Sequence, residues 1–174
     1  MYIGHVGAAL AAKRVRRSIG LLVLLVATYT PDWVDAGLCI AQAYDPQAML
    51  SHSIPAILLF ALVGFAWYGL ATRDWTAALV VAGVILSHMF LDWITGYKPT
   101  WPGGPMIGLE LYDRPIADFI VEGVVCVFGT LLYARTLPPR RRPWIDVSIM
   151  LGALLALQAV VAVAHMVFKT LPKC

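Results

Sequence analysis

The sequence predicts an all-α fold: a polytopic membrane helix bundle of about five transmembrane segments, the first of them short or broken. Two observations carry this. Hydrophobic residues make up 60% of the 174 and charged residues only 13%, whereas a soluble domain is about 45–50% apolar. Four stretches, 52–71, 76–95, 116–135 and 144–169, are apolar over the length that crosses a bilayer, about 17–25 residues. The chain shows neither an internal repeat nor a low-complexity segment, so residues 1–174 read as one membrane-embedded helical domain.

The first region, 3–29, starts Ala-rich, carries the basic run "KRVRR" (Lys13, Arg14, Arg16, Arg17) and continues into an apolar run at 18–30. That run is only about 20 Å long at the helical rise per residue. It is either one broken, tilted helix or a tight helical pair whose turn holds the basic residues. An end is expected at Thr30-Pro31, because proline cannot continue the backbone ladder and restricts the residue before it. The "AQA" of Ala41, Gln42 and Ala43 looks like a signal-peptide cleavage site. It lies beyond Pro31, Asp32 and Asp35, too far from the apolar run, so the region is read as retained.

Each remaining element has its own signal. Ser51 and Ser53 flank His52 as capping candidates for the helix that follows. After the next span, "GYKPTWPGGPMIG" within loop 96–115 is too rich in Gly and Pro for a helix and is expected to form an ordered cap. Cys39, Cys126 and Cys174 are scattered and lack CxxC spacing, which indicates neither a disulfide framework nor a thiolate zinc site. The second basic run, "PPRRRP" at 138–143, resembles "KRVRR" in flanking an apolar segment. Both read as cytoplasmic anchors under the positive-inside rule rather than as nucleic-acid contacts. Alternating the chain across the bilayer then places Arg73, Arg135, Arg140, Arg141 and Arg142 in the cytoplasm. Lys98, Arg114 and the long loops 36–51 and 96–115 fall on the external face.

With this topology the ionisable residues collect on one side. Asp32 and Asp35, in "TPDWVDAG", are three apart at the external end of the first region and share a face if a helix continues through them. His52 begins a helix on that side. His88 and Asp92 stand one turn apart in "SHMFLDWIT", and Glu122 lies at a matching depth, about 9–11 Å below the external helix ends. His5 joins them if the first helix runs inward from the external face. Intramembrane charges cost roughly 2.5–3.5 kcal/mol each on insertion scales and are kept for pairing, ion pathways or chemistry. Clustered carboxylates repel one another unless a cation or protons neutralise them.

A divalent metal resolves both problems, and the mixed imidazole and carboxylate set suits zinc first, with manganese or iron as alternatives. The candidate ligands are His5, Asp32, Asp35, His52, His88 and Asp92. Asp35, His5 and Glu122 are the candidates for handling protons in catalysis. Taken singly, each has a plainer reading: a His–Asp hydrogen bond for His88 and Asp92, an interfacial turn for Asp32 and Asp35, a helix anchor for His52. His165 has no acidic neighbour and reads as a packed residue. Asp118 reads as interfacial, and the tryptophans Trp33, Trp93, Trp101 and Trp144 as an aromatic belt.

These residues, an early His5, then "PDWVD", "SHS" and "SHMFLDWIT", resemble a bacterial family of LexA-regulated, membrane-bound, metal-dependent hydrolases. The resemblance runs from about Tyr2 to Thr95, and "PGGPMIGLELYDRPIADFIVEG" resembles a subset of that family. It implies metal or catalytic roles for His5, Asp32, Asp35, His52, His88 and Asp92, and a multi-pass location in the bacterial inner (plasma) membrane. This chain departs from the commoner pattern in having Ser51 where threonine is frequent. Its loop after HxxxD also lacks a further histidine, which leaves the number of metal ions open.

The expected function is a hydrolase acting at the outer membrane face on a phosphoester or other ester of a lipid or lipid-linked substrate. The bilayer would be its solvent and the source of that substrate. The alternatives are an ion- or proton-coupled transporter, in which the same carboxylates carry the translocated ion, and a structural or regulatory membrane protein.

Overall fold

The computed structural model describes residues 3–45, 48–138 and 143–167. Among these lie seven α-helices: α1 (Gly4–Val15), α2 (Leu21–Thr28), α3 (Thr30–Ile40), α4 (Ile54–Thr72), α5 (Trp75–Thr95), α6 (Pro115–Ala134) and α7 (Pro143–Val167). Four of them, α4 to α7, are long and apolar enough to span a membrane, and α2 with α3 forms a fifth candidate bent by 59°. The fold is therefore the all-α polytopic bundle that composition and segment length predict.

Of the two readings of the first region, the structure takes the tight pair. The chain leaves α1 at Arg16 and re-enters helix at Leu21. Lys13 closes the turn by donating from Nζ to the carbonyls of Arg17 (2.6 Å) and Ile19 (2.5 Å). Two further contacts fix this turn against other elements. Arg16 pairs with Asp74, the N-cap of α5, at 2.7 Å, and Arg17 donates to the carbonyl of Arg135 at 2.9 Å. The first basic run and Arg135 thus border one end of the bundle, while Arg140, Arg141 and Arg142 of the second run lie outside the described residues.

Helix α2 ends at Thr28, close to the expected end at Thr30-Pro31, but α3 starts at once at an angle of 59° to it. Pro31 sits in the first turn of α3, where its missing N–H has no partner to lose and its fixed φ suits a helix start. The first part of loop 36–51 is accordingly helical, through Ile40. Ser53 is the N-cap of α4 by position, yet its side chain makes no capping bond and donates to the Leu50 carbonyl at 2.8 Å. Cys39 is disulfide-bonded, against the expectation drawn from the cysteine spacing. Cys126 is a buried free thiol.

Small residues set the packing. Ala9, Ala12, Ala27, Ala61, Ala77 and Ala78 belong to the core shared by α1, α2, α4 and α5, and such residues let helix backbones approach closely in a bilayer. The tightest approach joins α1 to α6: a Cβ at Gly7 would come within 2.5 Å of the Val125 carbonyl oxygen, and one at Gly129 would collide with the backbone of Gly7. Helix α5 is the central element, with 44% of its spanning window buried against 17% in α4 and 11% in α7.

The cap after α5 is ordered and largely non-helical, as its Gly and Pro content predicts. Strands β1 (Lys98–Pro99) and β2 (Met106–Ile107) pair antiparallel, with Lys98 opposite Ile107. Three hydrogen bonds pin this cap down: Ile54 to the Thr100 carbonyl (3.0 Å), Leu109 to that of Trp93 (2.9 Å) and Glu110 to that of Gly96 (3.2 Å). Gly108 permits the crossing, since its φ is +144° and a Cβ there would collide with the Gly96 carbonyl.

Candidate metal centre

His88 and Asp92 face inward from the last turns of α5, with exposures of 0% and 2%. The spacing explains why both can do so: residues four apart in a helix stand on the same face. His5 enters from the first turn of α1, Asp32 and Asp35 from α3, and His52 from a 3-10 turn over Leu50–His52 just before α4. Four elements thus contribute to one cluster at the end of the bundle opposite the basic turn.

Its hydrogen bonds fix the imidazole tautomers. The Thr28 carbonyl lies 2.7 Å from His88 Nδ1, and a carbonyl only accepts, so Nδ1 carries the proton and Nε2 presents a lone pair. Asp35 Oδ2 lies 3.0 Å from His52 Nδ1, while the Ser51 hydroxyl donates to the other Asp35 oxygen. Ser51 Oγ, 2.8 Å from His52 Nδ1, has given its own proton to Asp35 and accepts here, so Nδ1 carries a proton directed at Ser51 Oγ and Asp35 Oδ2, and Nε2 points away from both. The two Nε2 atoms then face each other at 3.2 Å. Two lone pairs at that distance repel unless a positive centre, a proton or a metal, lies between or beside them.

Two carboxylates complete the surroundings of that point. Asp92 Oδ2 lies 3.4 Å from His52 Nε2 and 3.5 Å from His88 Nε2, and Asp32 Oδ1 lies 3.3 and 3.9 Å from the same two atoms. Donors about 2.0–2.2 Å from a tetrahedral zinc are themselves about 3.2–3.6 Å apart. The distances from Asp92 Oδ2 to both Nε2 atoms and from Asp32 Oδ1 to His52 Nε2 fall in that range, and that from Asp32 Oδ1 to His88 Nε2 is longer. His5, His88 and Asp92 form a second triad with donor atoms within 4.8 Å of one another, beside that of Asp32, His52 and His88. Asp92 serves both sides, since its Oδ1 is 3.2 Å from His5 Nε2. The His5 and His88 rings are stacked, with centroids 3.9 Å apart and planes 12° from parallel.

His52 lies outside the spans, and its burial works against a positive charge. Hydrogen bonding with Asp32 and Asp35 outweighs this and raises its pKa above the ordinary histidine value. The cluster is open on one side only: Asp32 is 42% exposed, while His5 and His88 are fully covered and Asp92 almost so.

An inner-membrane helical bundle with this cluster at one end agrees with what comparison shows, for residues 1–166 match the YdjM inner membrane protein family. The chain belongs to that family. No curated protein and no solved structure matches it. Membership makes this YdjM-family chain a multi-pass protein of the inner membrane, and the lipid bilayer its environment.

The six residues read as candidate ligands all reach the cluster, with a division of labour that spacing could not give. His5, Asp32, His52, His88 and Asp92 supply atoms to the two triads. Asp35 stands behind His52, the usual place of a carboxylate that orients a ligating histidine. Glu122 joins neither triad. It is fully buried, and its Oε2 accepts from the backbone N–H groups of Ile3 (2.8 Å) and Gly4 (3.0 Å), capping the start of α1. Asp118, expected at the interface, is buried one turn from Glu122, with an exposure of 5%. The side chain of His165 lies outside those described.

Two participants were not singled out from the sequence. Ser51, taken for a cap, holds Asp35 instead. Lys98, counted only for its charge, places Nζ 3.3 Å from Asp92 Oδ2. Its position six residues after Asp92, beside an acidic cluster, was the available signal.

Proposed function

We propose that this YdjM-family chain is a membrane-embedded metal-dependent hydrolase. Its substrate would be a phosphoester or other ester of a lipid or lipid-linked molecule at the outer face of the membrane. The observation that carries the reading is the pair of opposed Nε2 lone pairs of His52 and His88, 3.2 Å apart between Asp32 and Asp92. Zinc is the first choice for such a donor set, with manganese or iron as alternatives. A bound divalent ion supplies a Lewis acid and a water that ionises near neutral pH.

The chain's own residues do the rest. His52 is held by Asp35 and His88 by the Thr28 carbonyl, so both imidazoles are fixed before any ligand arrives. Asp92 offers one oxygen to each triad, and His5, on its Oδ1 side, is the residue placed to complete a second site or to accept a proton. Exposure of Asp32 leaves the entrance on the side of α3, where a lipid headgroup can approach.

Orientation with the basic loops in the cytoplasm agrees with the Lys and Arg count. The disulfide at Cys39, one turn beyond Asp35 on α3, supports it too, because disulfides persist on the oxidising side of a membrane. LexA control is an implication of the resemblance alone.

An ion- or proton-coupled transporter would need ligands continuing through the bundle. The core that α1, α2, α4 and α5 share includes Ala9, Leu24, Ala27, Val81, Val84 and Ile85, which offer a crossing ion no ligand on that side of the bundle, and this favours the hydrolase.

Elemental analysis of detergent-purified protein tests the proposal directly. Stoichiometric zinc, manganese or iron is expected in the wild type and should be lost from the double variant H88A/D92A. A metal-free wild type, or full retention by the double variant, sinks the reading. Ester turnover by the metal-loaded wild type, with no ion flux in proteoliposomes, separates hydrolase from carrier.

A further inference from the structure

We infer that Lys98 is the anion-binding residue of this centre, and that the anion is a phosphate group, which makes the substrate a phosphoester rather than a carboxyl ester. This rests on the metal-dependent reading above and narrows it.

Lys98 lies on β1, and the cap that carries it is pinned to α4 and α5 by backbone hydrogen bonds from Ile54, Leu109 and Glu110. Its side chain is 17% exposed and places Nζ 3.3 Å from Asp92 Oδ2, the same oxygen that His52 and His88 approach at 3.4 and 3.5 Å. A carboxylate oxygen that binds a divalent cation holds an ammonium less well, because the two positive centres repel at close range in a poorly solvated site. When a cation takes Oδ2, the hold of Asp92 on Nζ weakens. The pinned cap keeps the lysine backbone where it is, so the ammonium stays beside the ion and needs a negative partner there.

Charge balance names that partner. With a divalent cation in each of the two triads, Lys98 brings the positive charge to about five against the three negative charges of Asp32, Asp35 and Asp92, and the site is left positive. A phosphoester brings formal negative charge and oxygens able to span an ion and an ammonium, and lysine binds phosphate as a point charge. A carboxyl ester is neutral and gives Lys98 no ground-state partner.

The test uses the full chain, purified in detergent and loaded with zinc, titrated calorimetrically with inorganic phosphate and, separately, with dihexanoyl phosphatidic acid. The wild type should bind at least one of them. K98M, which keeps the length of the side chain without its charge, should bind about tenfold more weakly or worse while retaining its zinc, and K98R should recover much of the loss. Tighter binding of phosphatidic acid assigns the phosphate to a lipid headgroup, and equal or tighter binding of inorganic phosphate assigns it to a soluble compound. Wild-type affinity in K98M overturns the inference, as does loss of zinc from K98M, which would make Lys98 a structural tie. A wild type that holds zinc but binds neither probe overturns the inference and leaves the metal reading standing. A wild type without zinc removes both.

Discussion

Glu122 shows how one side chain can serve the cluster without entering it. The first N–H groups of a helix have no partner within it, and in α1 those of Ile3 and Gly4 are buried against α6, where Glu122 Oε2 accepts both. His5 is the next residue, so the carboxylate that caps α1 also sets the height at which His5 enters the site. E122A would strand these donors and should destabilise the protein by about 1–3 kcal/mol, read as a lower melting temperature in detergent. E122Q keeps an acceptor oxygen and should lose less. An E122A protein as stable as the wild type would remove the capping role. The sequence made Glu122 conspicuous as an intramembrane charge but could not distinguish a proton-handling group from a cap. That distinction depends on which backbone lies opposite, and α1 is more than a hundred residues away in the chain.

At the scale of elements, the close seam between α1 and α6 delivers His5. Gly7 and Gly129 let the two backbones nearly touch, and the obstacle to a larger residue at Gly7 is the carbonyl of Val125, a backbone atom that cannot rotate aside. G7A should therefore cost about 1–3 kcal/mol, seen as a lower melting temperature. It should also weaken metal retention, because α1 carries His5. Thermal stability and metal content both equal to the wild type would show that the seam has slack. The long helices were legible in the sequence because a bilayer tolerates little but uninterrupted apolar helix. Pro31 was read as the end of a helix, and α2 does end beside it, but the same chemistry that forbids the middle of a helix favours the first turn of a new one. Only the neighbouring elements decide that the chain bends there and starts again.

At the scale of the whole molecule, the two ends of the bundle have opposite electrostatic characters. One gathers carboxylates and imidazoles; the other is closed by Arg16, Arg17, Asp74 and the Arg135 carbonyl. The Arg16 guanidinium holds the Asp74 carboxyl below its usual value of 3.8. Because the folded pKa is depressed, the stabilisation from this pair is complete above 3.8 and is lost as pH falls through the folded value. The wild type should lose melting temperature in that acid range. D74N should start lower at neutral pH and lack this component of the acid loss. A parallel pH dependence in the two proteins would show that the pair does not contribute.

The residues of the candidate centre were nearly all legible, since His5, Asp32, Asp35, His52, His88 and Asp92 are conspicuous in so apolar a chain. What the sequence by itself determined is a bilayer-solvated helical bundle with its ionisable groups gathered toward one end, because burying charge in lipid is costly enough for composition and spacing to reveal it. Only the tertiary structure decided that Asp35 orients while Asp32 and Asp92 face the imidazoles, that Glu122 caps, and that Lys98 belongs to the site. Those roles depend on distances of a few ångströms between residues far apart in the chain, and helical periodicity carries no information about them.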